Sequence, residues 1–310
     1  MPGQRADAAL GAVLQHLDSA GYDFTTPNPA TVRRWLSRPP PARPDLRDIL
    51  GWGFPFRRGD LPEALFEALR EAGALVESDR GQRARIRAAR VDGRLFLHSA
   101  CAGAGPDAVF VGPDSYRFAA LIGREIGAAP VRRALDVGTG AGVGAVVTGA
   151  RVPGARIFAS DVNAAALRLA SANAAHAGVS ATFRLSPGLD DAPSDLDLIV
   201  ANPPYVAGDS GRAYKDGGGE LGEGLALDWA RTALARLAPG GRMILYTGAP
   251  IRAGGRDVVR DGLEALVSAV GASLAYSELD PDIFASELGR APYADVERIA
   301  AIGAVIRKPE

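Results

Sequence analysis

From about Ala129 onward the chain alternates short, mostly apolar segments with longer helical ones, and this alternation limits the fold more than any other feature. VRRALDV, ARIFAS, LDLIVAN and RMILYTG have too little polar spacing to show one face to water, so they read as strands covered on both sides. Helical stretches such as NAAALRLASANAAHAG separate them. Strand, helix, strand, helix in that order implies an α/β fold with a doubly wound, mostly parallel sheet. Two later stretches, SLAYSEL and RIAAIGAVIRK, read as further strands that can close the sheet as an antiparallel pair.

A chain of 310 residues is long for one ordinary domain, and a division is predicted into residues 1–108 and residues 109–310. In the first part, RPPPARP at 38–44 is a stiff connector between helical patterns. DLPEALFEALREAG puts Leu61, Leu65, Leu69 and Ala72 on one helical face, with Asp60 as N-cap and Gly73 as stop. ALVES, RARIRAARV and RLFLH follow, broken at DRGQ and DG. Helices followed by a hairpin predict a smaller amino-terminal α+β, winged-helix-like module serving as a recognition or lid unit.

Hydrophobic residues make up 47% and charged residues 23%, which are globular proportions, and no apolar run nears the roughly 20 residues that span a bilayer. No membrane partner is expected. The start, MPGQRADAALGAVLQHL, has neither a basic region nor a continuous apolar run, so it reads as helix and not as an export signal. Cys101 is the sole cysteine, which excludes an internal disulfide and a thiolate metal cluster and makes a reducing cytoplasm the expected compartment. His16, His98 and His176 lack ligand spacing, so no metal site is expected. A net charge of −1 gives no global pull toward nucleic acid, but six arginines stand against one acid between Arg80 and Arg94. If RARIRAARV is one strand, Arg83, Arg85 and Arg87 share a face that could grip phosphates; a solvated face beside Glu77 and Asp79 is the favoured alternative.

The first sheet strand ends in LDVGTGAG, with Asp136, Gly138, Gly140 and Gly142. Such glycines let the backbone turn sharply and a ligand come close, while the next helix offers free N–H groups. The second strand ends in ASDVN, placing Asp161 where a carboxylate can accept both hydroxyls of a ribose. Together these describe a nucleoside site. A dinucleotide pattern fails when counted from Gly138, because Val143 takes the third glycine position; counted from Gly140 it reaches Ala145, but starts two residues late.

The stretch LIVANPPYVAG, 198–208, carries an amide to the end of a buried strand and locks the backbone there. Proline holds the residue before it extended, so Asn202 is presented rigidly by Pro203 and Pro204. The Asn202 side-chain oxygen and the Pro203 carbonyl can each accept one N–H of a substrate amine or amide, and Tyr205 could stack on a planar group behind that nitrogen.

The D-x-G-x-G form with Asp161 one strand later resembles the first motifs of class I S-adenosylmethionine-dependent methyltransferases, and NPPY after the fourth strand resembles the motif of the amino-methyltransferases. That family includes the HemK-type release-factor glutamine methyltransferases and enzymes acting on amines of nucleic-acid bases. The resemblance implies a seven-stranded sheet and S-adenosyl-L-methionine as cofactor, held by Asp136, Gly138, Thr139, Gly140, Gly142, Asp161, Val162 and Asn202. It implies Asn202, Pro203 and Tyr205 as the residues that position the accepting nitrogen. VFVGPDSYRFAALI at 109–122 resembles the PRPDTE segment of the release-factor enzymes, which implies cofactor contact by Pro113 and Asp114; Gly112 replaces the arginine and the glutamate is absent. An acid is expected to meet the adenine amine after ATFRLS, but Ser186 comes first and Asp190 and Asp191 only later. DGGGELGEGLALDWA, 216–230, is expected to be a flexible lip beside NPPY, either closing over substrate or an ordinary disordered loop, because glycines so dense do not fix a helix start. The expected function is N-methylation of a macromolecule, protein glutamine or RNA base; a small-molecule N-methyltransferase is the alternative, and a non-catalytic cofactor-binding protein the third reading.

Overall fold

The computed structural model describes residues 2–100, 105, 107–207 and 217–310. Cys101 and Asp216, both quoted above, lie outside the described residues. The amino-terminal elements are α1 (Pro2–Ser19), α2 (Pro29–Leu36), α3 (Glu63–Glu71) and two hairpins, β1 (Leu75–Ser78) with β2 (Gly81–Ala84), and β3 (Ile86–Val91) with β4 (Arg94–Ser99). Helix α1 buries Leu10, Val13, Leu14 and Leu17 against α3, a stripe worth roughly 1.5–3 kcal/mol for each large side chain. Leu61, Leu65, Leu69 and Ala72 are buried as their spacing predicts, and Gly73 follows α3 with φ +69°.

Two expectations for this region are corrected. Asp60 does not cap α3. It closes the short turn before it, accepting from the Arg57 N–H at 2.7 Å, while Pro62 takes the N-cap position of α3. RARIRAARV is not one strand, because the chain bends at Arg85 and leaves β1–β2 for β3–β4. The three arginines therefore share no exposed face: Arg87 is buried and donates through Nε to the Gly51 carbonyl at 2.8 Å, Arg83 is half-buried and donates to Gly53, and only Arg85 is exposed. Arg90 and Arg94 are bound to Asp18 and Asp92.

The second part follows as α4 (Pro113–Glu125), β5 (Arg133–Val137), α5 (Val143–Arg151), β6 (Arg156–Asp161), α6 (Ala164–His176), β7 (Ala181–Leu185) and β8 (Leu196–Ala201). It ends with α7 (Gly224–Arg236), β9 (Leu237–Arg252), β10 (Arg256–Asp257), α8 (Val258–Val270), β11 (Ser273–Asp280) and β12 (Val296–Arg307). The sheet runs β11-β12-β9-β8-β5-β6-β7, with β10 paired beside β9. β7, β6, β5, β8 and β9 are parallel, and β12 lies antiparallel between β9 and β11. This is the doubly wound, mostly parallel sheet that the alternation predicts, at the seven-strand size the family resemblance implies. SLAYSEL and RIAAIGAVIRK are its antiparallel pair, β11 and β12. No helix among the described residues is long and apolar enough to cross a membrane.

One continuous apolar cluster runs from Leu10 and Leu14 of α1 through Leu95 and Leu97 of β4 to Ala145, Leu169 and Ile244 around the sheet. Asn173 of α6, fully buried, stitches this junction. Its Oδ1 accepts from Leu97 N at 2.8 Å, and its Nδ2 donates to Leu97 O at 3.0 Å and Ala141 O at 2.8 Å. Removing that carboxamide strands a buried N–H and two carbonyls. Asn173→Ala is expected to lower unfolding free energy by about 3 kcal/mol or more, measured by urea denaturation; a change within about 0.5 kcal/mol would deny the stitch this role.

Candidate active site

Strand register places the site residues on one level. Val137 of β5 pairs with Ser160 of β6 on one side and with Ala201 of β8 on the other, and Ala201 pairs with Leu245 of β9. The next residue along each of these strands is Asp161, Gly138, Asn202 and Tyr246. Neighbouring strands lie about 4.8 Å apart, so the glycine turn sits between the acid and the amide, within roughly 10 Å of both. All of them stand at the carboxyl ends of the parallel strands, where open sheets of this kind take their ligands.

The turn after β5 needs its glycines. Gly138, Gly140 and Gly142 have φ of +64°, +54° and +87°, the left-handed region that other residues enter only at a cost. A Cβ on Gly138 would lie 2.7 Å from the Trp229 ring of α7. Two carboxylates hold this loop. Asp136 Oδ2 accepts from the Thr139 hydroxyl and from Ala145 N at 2.8 Å, and Asp161 Oδ2 accepts from Gly140 N at 2.9 Å. Thr139 N also donates to Ser160 O at 2.9 Å, tying the turn to β6. Asp136 is buried, and Gly144 makes room for it, since a Cβ there would lie 2.3 Å from its Oδ1. Both described bonds of Asp136 and the hydroxyl of Thr139 are thus spent inside the turn.

Asp161 is half-buried, and its Oδ1 accepts from Asn163 N at 2.9 Å. Burial raises its pKa, against the hydrogen bonds from Gly140 and Asn163. Two exposed apolar side chains stand beside it: Val162, next in the chain, and Leu185, its partner on β7. Ser186 lies just beyond, buried, with its N–H on Asp161 O and its hydroxyl on Asp191 Oδ2 at 3.1 Å, while Asp190 is exposed. The serine and the later acid thus act as one unit.

Asn202 is half-buried, and its carboxamide makes no hydrogen bond among the described residues. Pro203 behind it is buried. Tyr205 is buried too: its ring packs edge-on against Phe284 at 5.6 Å and lies over Gly248, where a Cβ would come within 2.3 Å. Its hydroxyl faces Asp114, and burial first, then that carboxylate, raises its pKa well above the ordinary value. Tyr246 donates to Asp114 Oδ1 at 2.7 Å, and Arg117 joins Asp114 to Asp280. The first turn of α4, which includes Pro113 and Asp114, is anchored in this way behind the NPPY stretch. Gly112 before it cannot carry the arginine of the resembling segment without displacing the Phe110 ring, which a Cβ would approach to 2.3 Å.

The expected flexible lip is corrected. Gly217 N donates to Val206 O at 3.0 Å, Leu225 N donates to Gly217 O at 2.7 Å, and α7 begins at Gly224. Cβ atoms on Gly217 or Gly222 would fall within 2.7 Å of the Tyr205 backbone, so these glycines serve close backbone docking and not looseness. Trp229, Tyr246, Gly144 and Leu185 were missed by motif reading. Only Tyr246 had a signal, as the polar residue in the RMILYTG strand at the level of Asn202.

Residues 119–251 match a family model described as the Methyltransferase small domain. The chain is 39% identical over 171 residues to the release factor glutamine methyltransferase of Cereibacter sphaeroides, covering 50% of this chain and 57% of that protein. It is 40% identical over 76 residues to ribosomal RNA small subunit methyltransferase C of Serratia proteamaculans, covering 24% and 22%. The chain therefore spans little more than half of the first relative and under a quarter of the second. A putative transferase from Pyrococcus horikoshii shares the fold, with a TM-score of 0.52 over 90% of this chain and 98% of that one at 11% identity.

Burial raises Asp136 to about 7, opposed by its bonds from Thr139 and Ala145. The native state then binds a proton that the unfolded chain releases near the ordinary carboxyl value of 3.8, so this group favours folding at low pH and loses that contribution as pH rises toward 7. Asp136→Asn should therefore gain stability relative to wild type by up to about 4 kcal/mol between pH 4 and 7, measured by denaturant unfolding across pH. A difference independent of pH would contradict the burial argument.

Proposed function

We propose that this chain is an S-adenosylmethionine-dependent N-methyltransferase that acts on an amine or amide nitrogen of a macromolecule, a protein glutamine or an RNA base. The observation that carries the reading is the shared strand level. It puts a left-handed glycine turn with Asp161 on one side and, on the other, a rigidly mounted carboxamide that makes no hydrogen bond among the described residues. The family match over residues 119–251 and the relatives' names support it.

The residues fit such a cofactor. Asp161 offers a carboxylate for ribose hydroxyls, and Val162 and Leu185 offer apolar faces for a purine, with Ser186 and Asp191 at its polar edge. The glycine turn admits close approach of the methionine portion. Pro113 and Asp114 bound this region through the anchored turn of α4. Asp136 and Thr139 contribute by shaping the loop. When bound, S-adenosylmethionine supplies a methyl group on a sulfonium. Asn202 Oδ1 and Pro203 O each accept an N–H from the acceptor and hold its nitrogen toward that methyl, and placement of this kind is worth several kcal/mol. Tyr205, with its ring buried, stiffens the NPPY turn from behind, while its protonated hydroxyl stays with Asp114.

Asn202→Ala is expected to keep cofactor binding in calorimetry and to lose roughly 10²-fold or more in turnover, as when one transition-state hydrogen-bond partner is removed. Unchanged turnover takes Asn202 out of the mechanism. The acceptor is sought by incubating the protein with radiolabelled methyl donor and fractionated extract. Label in protein or RNA supports the reading, and label only in small molecules refutes a macromolecular acceptor.

A further inference from the structure

Arg83 and Arg87 are held by backbone carbonyls and Arg90 and Arg94 by carboxylates, leaving Arg85 exposed alone on its bend, whereas another group of arginines is exposed together. Between Pro27 and Pro44 the chain has four arginines, Arg33, Arg34, Arg38 and Arg43, and no acid. All four are exposed, and none makes an ion pair among the described residues. The nearest following acids, Asp45 and Asp48, are occupied with each other's backbone N–H groups at 2.9 and 3.1 Å. In a chain of net charge −1 this is a local run of four cations, none of them ion-paired among the described residues. Two of the four lie in the last turn of α2, where cations suit the helix dipole, but that effect reaches neither Arg38 nor Arg43.

The surface is also built to stay in shape. Trp35 stacks on Trp52 with centroids 4.8 Å apart, and the Arg38 guanidinium lies 4.3 Å from the Trp35 ring centre. Pro39, Pro40 and Pro41 then fix the backbone between Arg38 and Arg43. No large hydrophobic residue is exposed in this segment; Val32 is buried, and Trp35 and Leu36 are half-buried. Guanidinium groups that are not ion-paired suit a row of phosphates.

The residue just before the segment is tied to α4. Thr26 N donates at 2.8 Å to the Tyr116 hydroxyl in the first turn of α4, two residues from Asp114, which faces Tyr205 of NPPY. Asn28 caps α2 immediately afterward, accepting from Thr31 N at 2.8 Å.

We propose that α2 and the proline connector after it, through Arg33, Arg34, Arg38 and Arg43, form a phosphate-backbone docking surface for RNA. This deepens the functional reading above and rests on it, choosing RNA among the macromolecular acceptors.

The test is fluorescence anisotropy of a labelled oligouridine of about twenty nucleotides, starting at about 50 mM salt and repeated across a salt series. Wild type should bind, and R33A/R34A/R43A, which spares the Trp35-packed Arg38, should show a slope of log K against log salt shallower by about 2, from three phosphates at roughly 0.7 each. R33K/R34K/R43K should keep the slope, as should R58A/R70A, whose arginines are already paired with Glu63 and Glu67. No binding at low salt, an unchanged slope in the alanine variant, or equally tight binding of labelled polyglutamate would each overturn the proposal. Cofactor binding by calorimetry is read in parallel. If it persists while RNA binding fails, the docking surface is wrong and the methyltransferase reading stands; if wild type binds no cofactor, that reading fails by itself.

Discussion

Two carboxylates grip one glycine loop, and the geometry of the carboxyl edge follows from that grip. Asp136 holds the loop from inside through Thr139 and Ala145, and Asp161 holds it from the neighbouring strand through Gly140. Left-handed backbone at three positions is costly to keep ordered unless the surroundings specify it, and these bonds specify it. Asp136 can be buried only because residue 144 has no side chain, and Gly138 can lie against Trp229 only because it has none either. The loop, the helix behind it and the indole in front form one packed unit.

The sheet was legible because strands covered on both faces leave little room for polar residues, and β5, β6 and β8 carry that mark in their sequences. The level shared by Asp161, Gly138 and Asn202 was legible from the motifs at the strand ends. What escaped was set by tertiary contact. Helix α3 starts two residues later than an Asp60 cap suggests, because Asp60 finds a nearer N–H on Arg57. RARIRAARV has the period of one strand, but its two halves have different partners, and the period alone cannot encode a change of partner. The dense glycines before α7 suggested looseness, whereas the Tyr205 backbone next to them requires small residues. Tyr205 itself was expected to face substrate, and its ring lies inward against Phe284 and Gly248.

Charge tells a similar story of context over composition. Arginines dominate the basic residues, and many of them are held by carboxylates distant in the chain: Arg151 by Asp92, Arg168 by Asp7, Arg117 by Asp114 and Asp280. A charge run in sequence becomes an electrostatic feature only where no carboxylate folds back onto it. In residues 80–94 carboxylates meet Arg90 and Arg94 and backbone carbonyls hold Arg83 and Arg87, whereas no arginine of residues 33–43 is ion-paired among the described residues.

The buried amide of Asn173 has a bearing on how this molecule can be divided. It touches the β4 backbone with one hand and the glycine loop with the other, amid an apolar cluster that runs unbroken from α1 to the sheet. A fragment cut to begin near residue 109 would keep every recognisable motif, yet would leave Leu169 and its neighbours bare and Asn173 half-partnered beside the loop that most needs support. The amino-terminal elements are less an appended bead than one wall behind the glycine loop, and the motif-bearing half borrows part of its rigidity from them.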